Sequence, residues 1–87
     1  MRIRSVRDAR YVELVARLRR LRESQGLSQE EVARRLGRGQ SYVSKVETCE
    51  RRIDVVEALD LCTALGGRLE TVTEGLRGRP GRGEGAP

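Results

Sequence analysis

Glycines divide this chain into short segments, and within each segment the apolar residues return every three or four positions. Gly26, Gly37 and the pair Gly66 and Gly67 lie at the ends of such segments. This spacing places side chains on one face of an α-helix, and glycine readily adopts the left-handed conformation that ends one. The chain has no Phe or Trp, so aliphatic side chains must form its core. These features predict an all-α fold of short helices.

The length of 87 residues allows one domain, because domains usually span about 100–150 residues. We expect an N-terminal arm at residues 1–7, a compact bundle of about five helices at residues 8–76, and a disordered tail at residues 77–87. The tail is rich in Gly, Arg and Pro, and such a composition cannot bury enough apolar surface to offset the entropy of ordering.

Two capping boxes mark where helices begin. In the strings Ser28–Glu31 and Asp54–Glu57, the first side chain can accept from the fourth amide while the glutamate accepts from the first. Helices are predicted at residues 8–25, 28–37, 40–48 and 54–66, with a fifth of low propensity at residues 68–76. The helix at 54–66 is expected to bury Val56, Ala58, Leu59, Leu61, Cys62 and Leu65, and the first helix to use Val12, Leu14, Val15, Leu18 and Leu21.

The residues that most enzymes and metal sites need are scarce. The chain has no histidine, which is the commonest general base and metal ligand, and only two isolated cysteines, Cys49 and Cys62. We therefore expect no enzyme activity, no metal and no cofactor. No apolar run approaches the roughly 20 residues of a membrane span, so we expect a cytoplasmic protein whose thiols stay reduced.

The charge distribution points to a polyanionic partner. The net charge is +5 and the isoelectric point is near 10.2. The excess lies in residues 1–53, which carry fourteen basic and seven acidic side chains. In the third predicted helix, which begins at Gln40, an arc of about 140° carries only short polar or basic side chains. A basic domain with such an arc on one helix is typical of nucleic-acid binding.

The stretch from Leu21 to Gly66 resembles the phage-repressor-like helix-turn-helix family, also called the Cro/repressor or XRE type. The resemblance rests on two strings separated by a short turn, GLSQEEVARRLG at residues 26–37 and QSYVSKVE at residues 40–47, followed by ERRID at residues 50–54. It implies a lambda-repressor-like DNA-binding domain whose third helix enters the major groove.

The resemblance also implies roles for individual residues. Gln29 would touch the DNA backbone and support Gln40, the first residue of the recognition helix. Base edges would be read by Gln40, Ser41, Ser44 and Lys45. Arg51 and Arg52 would lie where loops of the family approach phosphate. Separately from the resemblance, the helical wheel places Tyr42 at the edge of the core, where its hydroxyl is positioned to reach a phosphate. An ordinary solvated surface is the alternative for Gln40, Ser41, Ser44, Lys45, Arg51 and Arg52.

The sequence departs from the family pattern at two turns. Cys49 stands where relatives commonly have Gly, at a turn that often needs positive φ, and Gly39 replaces a Ser or Thr. We expect a mildly strained turn at Cys49 if the geometry is kept. Glu47 is expected to pair with an arginine such as Arg35 near the helix junction.

The resulting hypothesis is a sequence-specific transcriptional regulator, a repressor that binds double-stranded DNA as a homodimer at a palindromic operator. Leu69, Val72 and Leu76 form an apolar strip that would pair across the two-fold axis. The competing possibility is that this strip packs on Leu59, Cys62 and Leu65 of the same chain. The alternative function is an antitoxin-type interaction module that silences a partner protein and regulates its own operon.

Overall fold

The computed structural model describes residues 8–79, which form five α-helices. The predicted arm at residues 1–7 and residues 80–87 of the predicted tail lie outside this range. The all-α fold and the number of helices are confirmed. The helices are α1 (Ala9–Ser24), α2 (Gln29–Leu36), α3 (Gln40–Glu47), α4 (Val55–Ala64) and α5 (Leu69–Val72).

Side-chain caps define the starts of three helices. The Asp8 carboxylate accepts from the Arg10 amide at 2.8 Å and begins α1. At α2 and α4 both capping boxes are complete, with the Glu31 amide donating to Ser28 Oγ at 3.0 Å and the Glu57 amide donating to Asp54 Oδ1 at 2.7 Å. Each box satisfies amides that the first turn of a helix leaves without partners.

The core is aliphatic, as the composition requires. It is assembled from every helix, and its main cluster comprises Leu18, Val32, Ala33, Val43, Val46, Ile53, Ala58, Leu61, Cys62, Ala64, Leu65 and Val72. Val15 of α1 is buried as well. The Tyr11 hydroxyl closes one edge by accepting from the Ile53 amide at 3.0 Å. This contact ties α1 to the loop between α3 and α4.

The fifth helix is shorter than the predicted range 68–76. It has four residues, and Thr73 ends it while donating through its hydroxyl to the Leu69 carbonyl at 2.8 Å. Arg17 of α1 then donates to the carbonyls of Val72 and Glu74 at 3.0 and 2.7 Å. A guanidinium thus satisfies carbonyls that a longer helix would have paired internally.

The predicted dimer strip of Leu69, Val72 and Leu76 is partly covered by its own chain. Val72 is 6% exposed within the core of its own chain, and Leu69 packs against that core. Leu76 is half-buried. For Val72 the structure therefore contradicts the dimer-strip prediction and supports packing within one chain, because a buried side chain cannot also form an intermolecular contact.

Three residues predicted to be buried are on the surface. Val12, Val56 and Leu59 are 45%, 64% and 47% exposed. On α4 the buried arc bears Ala58, Leu61, Cys62, Ala64 and Leu65, and at 100° per residue Val56 and Leu59 fall outside that arc. Within residues 8–79, no helix has the length and apolar content needed to cross a bilayer.

Candidate nucleic-acid interface

Helices α2 and α3 are joined by a three-residue turn, and together they form a helix-turn-helix. Gly37 ends α2 at φ +70°, and the Arg38 amide donates back to the Ala33 carbonyl at 2.9 Å. Gly39 is the N-cap of α3 in an extended conformation, without a side-chain hydrogen bond. The turn therefore has the predicted boundaries and uses glycine for the left-handed residue that it requires.

The third helix buries one face and presents the other. Val43 and Val46 are each 2% exposed. The outer side carries Gln40, Ser41 and Lys45, which are exposed, together with the half-buried Ser44. This division places the four predicted base-reading residues on one helix, outside the core. Arg52, five residues after the end of α3 in the following loop, is also exposed.

Gln29 and Gln40 are joined directly across the helix-turn-helix. Gln40 Nε2 donates to Gln29 Oε1 at 2.7 Å, and Gln29 Nε2 donates to Glu47 Oε1 at 2.8 Å. Because a carboxylate can only accept, Glu47 fixes which end of the Gln29 amide faces Gln40. Gln29 therefore supports Gln40 through an orientation set at the far end of α3.

Glu47 is itself held by Arg22, and not by Arg35 as predicted. Arg22 donates to both carboxylate oxygens, from Nε at 2.6 Å and from Nη2 at 3.0 Å. Arg35 instead donates to the Ala64 carbonyl at 2.8 Å. The predicted pairing of Glu47 with an arginine is confirmed, but the choice of Arg35 was wrong because the partner lies on α1, which packs across α3.

Tyr42 lies beside two arginines that flank α3 in sequence. The Cζ atoms of Arg38 and Arg51 are 4.1 and 4.8 Å from the centroid of its ring. Both guanidinium groups also bind Glu57, with Arg51 Nη2 at 3.1 Å and Arg38 Nη2 at 3.4 Å from Oε2. We call Arg38, Tyr42, Arg51 and Glu57 the arginine–tyrosine cluster.

The electrostatics of this cluster favour its charged state. The hydrogen bond from the Asp54 amide, followed by the contacts with Arg51, lowers the pKa of Glu57. The hydrogen bond to Glu57 raises the pKa of Arg51. Burial raises the pKa of Tyr42, so the phenol keeps its proton and remains able to donate.

The turn after α3 keeps the left-handed conformation although a cysteine occupies it. Cys49 has φ +63° and is the only residue other than glycine with positive φ among residues 8–79. The amides of Glu50 and Arg51 both donate to the Lys45 carbonyl, at 2.8 and 3.0 Å. The predicted left-handed geometry at Cys49 is confirmed, and two residues later the Arg51 guanidinium lies over the Tyr42 ring.

The sequence interpretation missed the contacts of Arg22, Arg38 and Glu57. Glu57 was assigned only to the capping box, and no role was predicted for Arg22 or Arg38. Helical spacing does not signal the contact of Arg38 with Tyr42, because the extended Gly39 separates Arg38 from the first turn of α3. No local spacing signals Arg22, since its contact with Glu47 joins different helices.

Comparison with known proteins places this arrangement in a family. Residues 13–75 match the family described as "Helix-turn-helix domain". An XRE-family like protein of solved structure is also 42% identical over 79% of the chain. The chain belongs to the XRE-type helix-turn-helix family. Members of this family are DNA-binding transcription regulators. The matched residues 13–75 include α5 (Leu69–Val72), the last helix of the domain. No curated protein matches the chain.

Solved structures of XRE-type proteins are similar in sequence as well as in fold. An XRE-family like protein from Pseudomonas syringae is 42% identical with a TM-score of 0.74, over 79% of this chain and 84% of that one. The restriction-modification controller protein C.AhdI from Aeromonas hydrophila is 41% identical with a TM-score of 0.67, over 74% and 93%. A hypothetical transcription factor, NHTF, from Neisseria is 34% identical with a TM-score of 0.67, over 78% and 77%.

Proposed function

We propose that this XRE-type protein is a sequence-specific repressor that binds a palindromic DNA operator as a homodimer through α3. The observation that carries the proposal is the hydrogen bond from Gln40 to Gln29, with Gln29 fixed by Glu47. A solvated glutamine would need no such support. A glutamine that reads a base benefits from it, because a side chain held in one orientation loses less entropy on binding.

The supported amide matches an adenine edge. Gln40 uses one N–H on Gln29, which leaves its carbonyl oxygen and second N–H to pair with adenine N6 and N7. Lys45 can reach guanine O6 and N7, and Ser41 and Ser44 can serve either base. The backbone contacts assigned to Gln29, Tyr42, Arg51 and Arg52 would set the position of α3 in the groove and carry no sequence information.

A homodimer follows from the size of the recognition element. One helix reads only a few base pairs, and two half-sites about one helical turn apart supply the missing specificity. The exposed apolar residues Val55, Val56 and Leu59 on α4 form the surface that we assign to the second copy. This α4 patch replaces the strip that contains Val72. Occupation of the operator would exclude other proteins, so we assign repression.

Selection from a random duplex library tests the proposal. The protein should enrich an inverted repeat whose half-sites share a short motif that contains adenine. Enrichment of a single unrepeated motif would contradict the dimer. Failure to retain any duplex at low salt would contradict DNA binding and favour the antitoxin-type module, for which co-purification of a partner protein is the matching observation.

A further inference from the structure

The arginine–tyrosine cluster contains its own counter-ion, Glu57, and lies beside α3, where we propose that the DNA backbone binds. Arg38 and Arg51 precede and follow α3, and their side chains are 43% and 38% exposed, whereas that of Glu57 is 18% exposed. Two accessible guanidinium groups therefore share one largely covered carboxylate. The formal charge of the cluster is +1 with Glu57 ionised.

We propose that Arg38, Arg51 and Tyr42 form a clamp for one DNA phosphate, and that Glu57 occupies this clamp in the free protein and competes with the phosphate. The inference rests on the proposed DNA-binding function and adds Arg38 and Glu57 to it. Carboxylate and phosphate oxygens accept from guanidinium in similar paired geometries, so one can replace the other.

The Tyr42 ring holds Arg38 and Arg51 in place while they exchange the Glu57 carboxylate for a phosphate. A guanidinium over an aromatic face is attracted to the ring independently of any hydrogen bond. Both arginines therefore keep a contact that holds them beside α3 when they release the carboxylate. The Tyr42 hydroxyl, which stays protonated, adds a donor for the phosphate.

Competition by Glu57 has a measurable consequence. It lowers the effective charge that the clamp offers to DNA, and therefore lowers duplex affinity and its dependence on salt. Because a phosphate contact carries no sequence information, the effect is the same for specific and random duplexes. Glu57 thus tunes how strongly the protein holds any DNA, separately from what α3 reads.

Glu57→Gln tests the competition with little disturbance of the fold. Glutamine retains the oxygen that accepts from the Asp54 amide at 2.9 Å, and capping boxes accept Glu or Gln. The matched control is Glu31→Gln in the α2 capping box. Glu31 accepts from the Ser28 amide at 2.8 Å, and its substitution makes the same change in net charge away from the cluster.

Binding to a random-sequence duplex is measured by fluorescence anisotropy between about 0.05 and 0.3 M salt, a range over which screening and counter-ion release change strongly. For Glu57→Gln the slope of log K against log salt should steepen by about 0.9. If the variant and the wild type bind equally at 1 M salt, this difference makes the variant bind about eightfold more tightly at 0.1 M salt. Glu31→Gln should match the wild type.

The complementary variant is Arg38→Ala, whose exposed side chain lies outside the core. It should make the slope shallower by about 0.9. Equal slopes for Glu57→Gln and Glu31→Gln, or weaker binding by Glu57→Gln, would overturn the competition. An unchanged slope for Arg38→Ala would overturn the clamp. Absence of duplex binding by the wild type would instead overturn the proposed function itself.

Discussion

Arg22 of α1 and Glu47 of α3 form a two-point ion pair, with side chains that are only 11% and 8% exposed. Glu47 also accepts from Gln29, and Arg22 also donates to the Leu27 carbonyl at 2.7 Å. The pair therefore joins three helices beneath the surface that α3 presents. The contact that stabilises the fold also sets the orientation of the Gln29 amide.

Removal of Glu47 is expected to destabilise the protein. Glu47→Ala leaves the covered guanidinium of Arg22 without its carboxylate, which costs about 3 kcal/mol in the free energy of unfolding. The control is Glu23→Ala, whose ion pair with Arg19 is more than half exposed on both sides and is worth less than about 0.5 kcal/mol. Urea denaturation of both variants checks the difference. Equal losses would show that the Arg22 pair contributes no more than a surface pair.

The left-handed turn at Cys49 predicts an unusual response to substitution. Cys49→Gly should be neutral or slightly stabilising, because relief of a left-handed penalty of roughly 1 kcal/mol offsets the added chain entropy. Cys49→Ala keeps a Cβ at φ +63° and should melt below Cys49→Gly. Thermal denaturation compares the two. A clear drop in melting temperature for Cys49→Gly would show that thiol packing outweighs the backbone strain.

If the α4 patch forms the dimer interface, charged substitutions in it should give a monomer that remains folded. Val55→Asp with Leu59→Asp changes residues that are 68% and 47% exposed, and Asp at the first position of α4 is favourable to the helix dipole. This variant should sediment as a helical monomer with weakened operator binding. Val72→Asp, at a core position, should lose helicity instead. A dimer unaffected by the double substitution would place the interface elsewhere.

Acid should weaken the fold through the capping carboxylates. Hydrogen bonds from Asp54 and Ser28 lower the pKa values of Glu57 and Glu31 below the ordinary 4.5. Their contribution is complete above that value and is lost as pH falls toward the folded pKa values. The free energy of unfolding should therefore decrease below about pH 4.5, and less steeply in Glu57→Gln. Parallel pH profiles for the two proteins would contradict the assignment.

The features predicted correctly from the sequence are those that local spacing determines. Ser28 and Glu31 are three residues apart, so their capping box follows from helix geometry alone. The same is true of the polar face of α3, which depends on a segment of a few residues and on the known preferences of its side chains. The positive φ at Cys49 was instead expected from the family resemblance, because relatives commonly have Gly at this turn.

The features that were missed depend on how helices pack. The helical period places Val56 and Leu59 outside the arc that bears Ala58, Leu61 and Leu65, but which arc of α4 is buried depends on how this helix packs against α2 and α5. The partner of Glu47 depends on where α1 crosses α3. Arg22 and Arg35 are both plausible by charge, and only the tertiary arrangement distinguishes them.

The central claim is that α3 reads base edges through Gln40. The direct test is the affinity of Gln40→Ala for the selected operator and for a random duplex, with Arg51→Ala measured in parallel. Gln40→Ala should lose about 1–3 kcal/mol on the operator and little on random DNA, whereas Arg51→Ala should weaken both alike. Equal weakening of the two duplexes by Gln40→Ala would contradict the assignment of α3 as the reading helix.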